Sequence, residues 1–192
     1  QPTPVHRADF KLAPHPDIDS LLAEADEIAP RFHVALRRIT HQYNGEYLEG
    51  PNKSRARAVE KIENDYAGDH NKLVDVVRAS AIFTTFAQLT LAVEALLEEG
   101  CPLHVVRAKD RFNHPTDFGY QDCLLNVKLD DDDHVGELQL HLRSIVDIKP
   151  ACHRTYALMR AVGWEDDNVE DDDEEEEEEE EGEREKARTW TG

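Results

Sequence analysis

One stretch of the chain decides the fold, Val105–Arg143, which reads VVRAKDRFNHPTDFGYQDCLLNVKLDDDDHVGELQLHLR. It contains two strand-like runs, Gln121–Leu129 and Val135–Arg143, which an acidic turn joins at Asp130–His134. Side chains of a strand alternate between its two faces, so polar and apolar residues that alternate indicate a strand with one apolar face. We therefore predict two adjoining strands here and work outward from them.

The second predicted strand carries a row of polar side chains on the face opposite its leucines. The polar residues are Glu137, Gln139, His141 and Arg143, and the leucines are Leu138, Leu140 and Leu142. Such a row is either a solvated sheet face, which is common in antiparallel sheets, or the floor of a polar site. The strand pattern alone favours the solvated face, and the rest of the chain must decide.

Net charge divides the chain into a mildly acidic body and a strongly acidic tail. The formal net charge is −20, of which residues 165–192, with 17 acidic and 3 basic residues, contribute −14. A like-charge run of this kind cannot bury apolar surface, so we expect 165–192 to be a disordered tail. The body has no basic residues clustered on the scale of a domain, so we expect no clear nucleic-acid-binding patch.

Chain length and cysteine content restrict the class of protein further. A chain of 192 residues has room for one ordinary domain, which we expect over 19–164, after an extended proline-bearing arm over 1–18. Three widely spaced cysteines favour reduced thiols, and hence a cytoplasmic location, over a disulfide framework. No apolar run approaches the roughly 20 residues of a membrane span, so we expect no membrane partner.

The remaining periodicities predict an α/β (α+β) domain. Two helical patterns come first, and a strand rich in β-branched residues follows over Leu73–Thr84. Next come a helix ending near Glu99, a strand over Leu103–Lys109, the two strands above and a helix over about 151–162. Helices interspersed with strands predict a mixed sheet flanked by helices. Pro30 lies in the first helical pattern, which we expect it to kink or split.

A helix predicted over Lys53–Tyr66, with Asn52 as its cap, carries cations at intervals of four residues. They are Lys53, Arg57 and Lys61, and this interval places them on one helix face. Lys53 would lie near the positive end of the helix dipole, where a polyphosphate could bind. The same pattern is also typical of a solvated helix face whose charges are offset by nearby glutamates.

Asp75 is a charged residue inside a predicted buried strand. Burying a carboxylate is costly unless it is paired or bound to a cation. Three interpretations remain open at this point: a cation site, an ion pair with Arg78 or Lys72, and a solvated position at the start of the strand.

Together these residues resemble the synthetase domain of the RelA/SpoT alarmone enzymes, which transfer pyrophosphate from ATP to the 3′-hydroxyl of GDP or GTP. The matching residues, in chain order, are Gly50, Lys53-Ser54, Lys61, Asp75, Lys109-Asp110, Pro115, Gly119-Tyr120 and Glu137-Leu138-Gln139. They span Gly50–His153, roughly half of the chain. We expect a divergent, synthetase-only member of this family.

The resemblance implies a nucleotidyltransferase-like mixed sheet and a set of roles on the ATP side. Lys53, Arg57 and Lys61 would bind the ATP phosphates. Asp75 and Glu137 would be the catalytic residues and would hold Mg²⁺, with Glu137 also assisting the attacking hydroxyl. These roles are chemically coherent, because phosphoryl-type transfer depends on positioning and charge neutralisation, and oxygen ligands suit Mg²⁺.

On the acceptor side, the resemblance implies that Tyr120 stacks on the guanine and that Lys109 and Gln139 also contact the acceptor. Several positions differ from the family pattern, namely Pro51, Arg57, Ser80, Thr116, Phe118 and Leu124. Several of these positions choose and orient the acceptor in the family. We therefore expect the acceptor to be GDP, GTP or another molecule with a 3′-hydroxyl.

Two other interpretations compete with an active enzyme of this family. A catalytically degenerate nucleotide-binding or interaction module of the same fold would explain the changed acceptor positions, although the retained Lys53, Lys61, Asp75 and Glu137 favour an enzyme. A histidine-based metal hydrolase would use His104, His114, His134 and His141. The sequence contains no HxxxH or HD pair, which makes the hydrolase the weakest of the three.

Overall fold

A computed structural model of the chain describes residues 14–116 and 119–148. The expected N-terminal arm lies mostly outside this part, and the helix expected over about 151–162 and the acidic tail lie wholly outside it. The described residues form a five-stranded mixed sheet flanked by helices, which confirms the predicted fold class. Among the helices of this part, none is both long and apolar enough to cross a membrane.

Helices and strands alternate irregularly along the described residues. The helices are α1 (Ile18–Gln42), α2 (Arg55–Tyr66), α3 (Phe86–Leu97) and the short α4 (Arg143–Val146). The strands are β1 (Glu46–Glu49), β2 (Arg78–Phe83), β3 (Leu103–Asp110), β4 (Cys123–Leu129) and β5 (Gly136–Leu142). A single 3₁₀ turn, His70–Lys72, lies between α2 and β2.

The strand order in the sheet is β1-β2-β5-β4-β3. β2 and β5 form the parallel pair, and the other three neighbouring pairs are antiparallel. In this order β5 is the central strand, so each of its faces is flanked by side chains from β2 and β4. The strand that carries the polar row is thus the best-protected position in the sheet.

The apolar side of β5 belongs to the main hydrophobic core. Leu138 and Leu140 are each 1% exposed and join Phe32 and Leu36 of α1 and Leu89 of α3 in one cluster. Burying a leucine or phenylalanine side chain is worth about 1.5–3 kcal/mol, so this cluster fixes which face of β5 turns inward. The leucines predicted to share a face do so.

Two helices differ from the sequence prediction. α1 is one continuous helix, so Pro30 does not split it, and Asp17 caps it by accepting the Ser20 N–H at 2.7 Å. α2 begins at Arg55 rather than Lys53, because Ser54 and not Asn52 is its cap. Caps of this type replace hydrogen bonds that the first turn of a helix lacks.

β2 is shorter than the strand predicted over Leu73–Thr84, since it begins only at Arg78. Upstream of it, the Val76 carbonyl accepts the Lys53 N–H at 2.9 Å, and the Val77 carbonyl accepts the Glu137 N–H at 2.8 Å. Asp75 therefore lies in a buried segment that leads into β2 and not within the strand.

Candidate functional site

Asp75 is the centre of a buried ion-pair cluster. Its Oδ2 atom lies 3.1 Å from Nζ of Lys53 and 2.9 Å from Nζ of Lys61. Asp75 and Lys53 are each 3% exposed. The carboxylate is thus paired with two lysines, neither of which is the Arg78 or Lys72 considered from the sequence.

The two lysines determine the charge state of Asp75. Burial alone would raise the pKa of Asp75, but the ammonium groups of Lys61 and Lys53 outweigh burial, so its pKa lies well below the ordinary value. The other carboxylate oxygen, Oδ1, is buried and has no hydrogen-bond partner in the described part of the chain. An ionised oxygen in this situation is costly unless a cation or a donor binds to it.

Lys53 and Lys61 reach Asp75 from different backbone elements. Lys61 lies within α2, whereas Lys53 precedes the helix in an extended segment that runs beside the approach to β2. Gly50 permits this close approach: its N–H donates to the Arg78 carbonyl at 3.1 Å, and a Cβ atom would lie only 2.9 Å from that oxygen. A larger residue than glycine at this position would push the segment, and Lys53 with it, away.

Arg57 does not join this cluster. Its guanidinium pairs with Glu60 at 3.1 Å, and its side chain is 43% exposed. The one-face arrangement of three cations predicted from their spacing holds only in part, because Lys53 lies outside the helix. The structure brings together Lys53, Lys61 and Asp75 and leaves Arg57 on the solvent side.

The polar row of β5 is buried rather than solvated. Glu137, Gln139 and His141 are 3%, 7% and 4% exposed. Nε2 of Gln139 donates to Oε1 of Glu137 at 2.9 Å. Arg143 lies beyond the strand, in α4, and pairs with Glu46 of β1. For the first three residues the solvated-face interpretation is wrong, and this face of β5 forms a buried polar surface.

Sheet register extends this surface across four strands. Residues opposite each other in register project to the same side of a sheet. One such line runs across Arg107, Asn126, Glu137 and Arg78, and the next across Lys109, Leu124, Gln139 and Ser80. Glu137 and Gln139 thus lie on one face with the cations of β2 and β3, and Lys109 lies two strands from Gln139.

Buried polar atoms without a hydrogen-bond partner gather on and beside this face. Five such atoms in the described part of the chain are Oδ1 of Asp75, Nε and Nη1 of Arg78, Oδ1 of Asn126 and Oε1 of Gln139. Arg78 is 6% exposed, and its Nη2 donates to the Pro51 carbonyl at 3.5 Å. Because buried polar groups in proteins are nearly always paired with protein or with water, these atoms offer hydrogen-bond donors and acceptors to water or to a polar ligand.

Tyr120 lies at the other end of the polar row, in a second network. Its hydroxyl is 3.2 Å from Nδ1 of His141, and the Arg111 guanidinium lies over its ring at 5.6 Å from the centroid. Asp122 is fully buried and holds Arg111 with two hydrogen bonds of 2.5 and 2.7 Å. One face of Tyr120 is thus supported by a cation that is itself fixed by a carboxylate.

The turn before Tyr120 explains one departure from the family pattern. Thr116 accepts the Tyr120 N–H on its hydroxyl at 3.1 Å, and its own N–H donates to the Tyr120 carbonyl, also at 3.1 Å. Gly119 adopts a φ of 78°, a left-handed conformation that glycine tolerates best. Thr116, one of the positions that differ from the family pattern, therefore closes the loop that presents Tyr120.

Arg78, Arg111, Asp122 and His141 belong to these two networks, and none of them is among the site residues that the resemblance implied. The sequence suggested Arg78 only as an ion-pair partner of Asp75, and His141 only as part of the polar row and as a ligand of a histidine-based hydrolase. Nothing in the sequence pointed to Arg111 and Asp122, because their pairing depends on the register of β3 against β4, which places the Arg111 N–H 2.9 Å from the Asp122 carbonyl.

Comparison with solved structures shows which known proteins share this fold. No protein-family model matches the chain, and no curated protein matches it significantly. Among solved structures, a GTP pyrophosphokinase family protein from Streptococcus pneumoniae is 16% identical, with a TM-score of 0.60 over 74% of this chain and 78% of that one. The small alarmone synthetase 1 of Bacillus subtilis bound to its product pppGpp is 15% identical, with a TM-score of 0.57 over 72% and 80%.

A third match is the Type VI effector Tas1, solved in complex with its immunity protein. It is 22% identical to this chain, with a TM-score of 0.51 over 73% of this chain and 74% of that one. Identities this low establish the fold alone. The chain has the fold of the small alarmone synthetases, which is the fold that the motif residues implied.

Proposed function

We propose that this chain is a pyrophosphotransferase that moves pyrophosphate from ATP to the 3′-hydroxyl of a guanine nucleotide, GDP or GTP, or of another nucleotide acceptor. The observation that carries the proposal is the buried cluster of Lys53, Lys61 and Asp75 beside the unsatisfied guanidinium of Arg78. Buried cations that converge in this way suit a polyphosphate, and the fold is shared with synthetases that make pppGpp.

On the ATP side, Lys53, Lys61 and Arg78 bind the phosphates. The two unsatisfied nitrogens of Arg78 offer the paired donors that phosphate oxygens accept best. Arg57 is proposed to contact a phosphate at the solvent side of the site, which requires it to exchange Glu60 for the ligand. The lysines can shift from Asp75 toward a phosphate as the carboxylate takes up a cation.

Asp75 and Glu137 would hold Mg²⁺, and the residues fit this ion. Both offer hard carboxylate oxygens, and Oδ1 of Asp75 is buried without a partner in the described part of the chain. When bound, the ion would neutralise charge on the transferred phosphates. Glu137 assists the attack by accepting the proton of the 3′-hydroxyl, and the hydrogen bond from Gln139 orients its carboxylate.

The acceptor base lies against Tyr120, whose ring is supported from one side by Arg111. Lys109 lies on the same sheet face as Gln139 and is proposed to bind the acceptor together with it. In the reaction, the 3′-oxygen forms a bond to the β-phosphorus of ATP, the bond to the α-phosphate bridging oxygen breaks, and AMP leaves. The hydroxyl proton goes to the Glu137 carboxylate.

The test is a product assay on the full chain with ATP and Mg²⁺ and, in turn, GDP, GTP, adenine nucleotides and tRNA. We expect AMP and a pyrophosphorylated acceptor in equal amounts with one acceptor class, and Glu137→Gln to abolish both. If no acceptor yields AMP, the enzyme proposal is wrong.

The second candidate is a nucleotide-binding module that has lost the reaction. The Thr116 contacts favour it, because a residue that would act on the acceptor in the family has a structural role here. ATP binding measured by calorimetry, without AMP release in any of the assays above, would support this module over the enzyme.

A further inference from the structure

A second group of chemically active side chains lies away from the polar face of the sheet. His15, in the segment before α1, Glu24 on α1 and His134, in the turn between β4 and β5, come together from three separate parts of the chain. One ligand atom of each residue lies within 4.8 Å of the ligand atoms of the other two. We propose that these three side chains form a binding site for Zn²⁺.

The distances fit a tetrahedral ion. Oε1 of Glu24 lies 3.4 Å from Nε2 of His15 and 3.1 Å from Nδ1 of His134. Zinc bonds of about 2.0–2.1 Å place neighbouring tetrahedral ligands roughly 3.3 Å apart, so the carboxylate already stands at ligand distance from both imidazoles. Two imidazoles and one carboxylate are a donor set that zinc prefers and that Mg²⁺ does not, which separates this site from the nucleotide chemistry.

The buried imidazole of His134 supports the zinc site independently of these distances. It is 2% exposed, and its Nε2 atom is buried without a hydrogen-bond partner in the described part of the chain. Whichever tautomer the ring adopts, the contact with Glu24 leaves one buried nitrogen unsatisfied. Turning the ring over exchanges each nitrogen with a carbon, which places Nε2 where Cε1 now lies, beside the position from which Nδ1 contacts Glu24. A buried imidazole in this condition is explained by a missing ligand.

The surroundings hold the two histidines in place without an ion. The His15 N–H donates to Oδ1 of Asn71 at 2.8 Å, and the His15 carbonyl contacts Nε2 of His70 at 3.0 Å. The His134 N–H donates to Oδ1 of Asp132 at 2.8 Å. Since both backbones are fixed by other contacts, the ligands are preorganised, and binding costs little ordering of the chain.

Solvent reaches the site through Glu24. Its side chain is 34% exposed, whereas the imidazoles of His15 and His134 are 8% and 1% exposed. Glu24 also lines an acidic cleft with Glu27 and Asp130–Asp133. A cleft of one charge sign raises the local concentration of cations, and water in it can supply the fourth ligand. Bound zinc would fasten the start of α1 to the turn that leads into β5.

This site differs from the histidine-based hydrolase considered from the sequence. Of the four histidines weighed there, only His134 takes part, and His15 and Glu24 were not candidates. Its test is independent of pyrophosphate transfer, since the readout is metal binding to the protein alone.

The experiment titrates the metal-free, full-length chain with Zn²⁺ against a chromophoric chelator and, separately, with Co²⁺, whose visible spectrum reports tetrahedral coordination. We expect one tight Zn²⁺ per chain, a higher Tm with zinc and a tetrahedral Co²⁺ spectrum. Glu24→Gln, His15→Gln and His134→Gln should each lower the affinity by more than about 100-fold, since even changes one shell further out cost 10–100-fold. His41→Gln, at an exposed position near the end of α1, is the matched control and should bind as the wild type does.

Two results would overturn the proposal. One is a wild-type chain that binds Zn²⁺ only weakly at several sites, as carboxylates of the acidic tail would. The other is a tight site that survives Glu24→Gln, a variant at a partly exposed position that should fold even if His134→Gln does not.

Discussion

Arg78 and Glu137 lie opposite each other on the parallel strands β2 and β5, and both are almost fully buried. Nε and Nη1 of Arg78 nevertheless have no hydrogen-bond partner among the described residues. A buried guanidinium left unsatisfied costs free energy in the absence of ligand. Beside the Lys53–Asp75–Lys61 cluster, this arrangement leaves buried donors that the phosphates of the proposed nucleotide substrate would pair.

The first prediction separates the contribution of Arg78 to stability from its contribution to binding. Arg78→Met removes the unsatisfied charge and keeps an unbranched side chain of similar length. We expect the nucleotide-free variant to be as stable as the wild type or about 1 kcal/mol more stable, because an unpaired buried donor has been removed. ATP affinity should fall at least about tenfold. Urea unfolding and calorimetry measure the two effects, and a destabilised variant with unchanged ATP affinity would contradict the assignment.

The second prediction concerns the loss of the Asp75 charge. Asp75→Asn leaves the ammonium groups of Lys53 and Lys61 buried without their carboxylate, so we expect a loss of about 3–5 kcal/mol in the free energy of unfolding. Restoring stability in Lys53→Met/Asp75→Asn/Lys61→Met would show that the unpaired charges cause the loss. The exposed pair of Arg57 and Glu60 supplies the control, since Arg57→Ala should leave stability within experimental error.

We expect the free energy of unfolding to depend on pH in the acid range, because the pKa of Asp75 is lowered in the folded state. Burial raises this pKa, but the ammonium groups of Lys61 and Lys53 outweigh the effect of burial. A carboxyl group whose pKa is lower in the folded state contributes its full stability above its unfolded pKa, about 3.9. That contribution is lost as the pH falls toward the folded pKa.

The measurement is the difference in unfolding free energy between the wild type and Asp75→Asn from pH 7 down to pH 2. Other carboxylates affect both proteins alike, so the difference isolates Asp75. We expect a constant difference above about pH 5 that narrows steadily below about pH 4. A difference that stays the same down to pH 2 would mean that the Asp75 charge is not what stabilises the fold.

The face on which each β5 side chain lies, and the importance of Lys53 and Lys61, could be predicted from the sequence for different reasons. A central strand with leucines on alternate positions admits one register, because a shift by one residue would bury Glu137 and Gln139 in the apolar core. The spacing of Lys53 and Lys61 marked both as candidate phosphate ligands, but the sequence pattern predicted that both lie on one helix. The structure places Lys53 before the helix, because Ser54 caps α2 and the Lys53 N–H bonds to Val76.

Side-chain pairs that depend on how two strands align could not be predicted from the sequence. The Arg111–Asp122 pair depends on how β3 and β4 align, and a β-bulge between Val105 and Arg107 shifts that alignment. Likewise, the burial of Glu137, Gln139 and His141 depends on tertiary packing that alternation alone does not encode, since the same pattern describes a solvated face.

The last prediction tests whether Asp122 positions the acceptor side of the proposed reaction. Asp122 is fully buried and makes two hydrogen bonds to Arg111, which supports the Tyr120 ring. Asp122→Asn removes the charge and one of the two acceptor oxygens, so the Arg111 guanidinium loses its fixed orientation. Tyr120 then loses the support beneath its ring.

If Asp122 acts through Arg111 and Tyr120, Asp122→Asn should raise the KM for the acceptor about tenfold and leave the KM for ATP within twofold of the wild type. Arg111→Lys keeps the charge but loses the two-pronged contact, and it should reproduce the acceptor effect. In a Tyr120→Ala background, Asp122→Asn should have little further effect on the KM for the acceptor, because the ring that Asp122 positions is already absent. Equal increases in both KM values would instead mean that Asp122 stabilises the fold as a whole and does not position the acceptor side selectively.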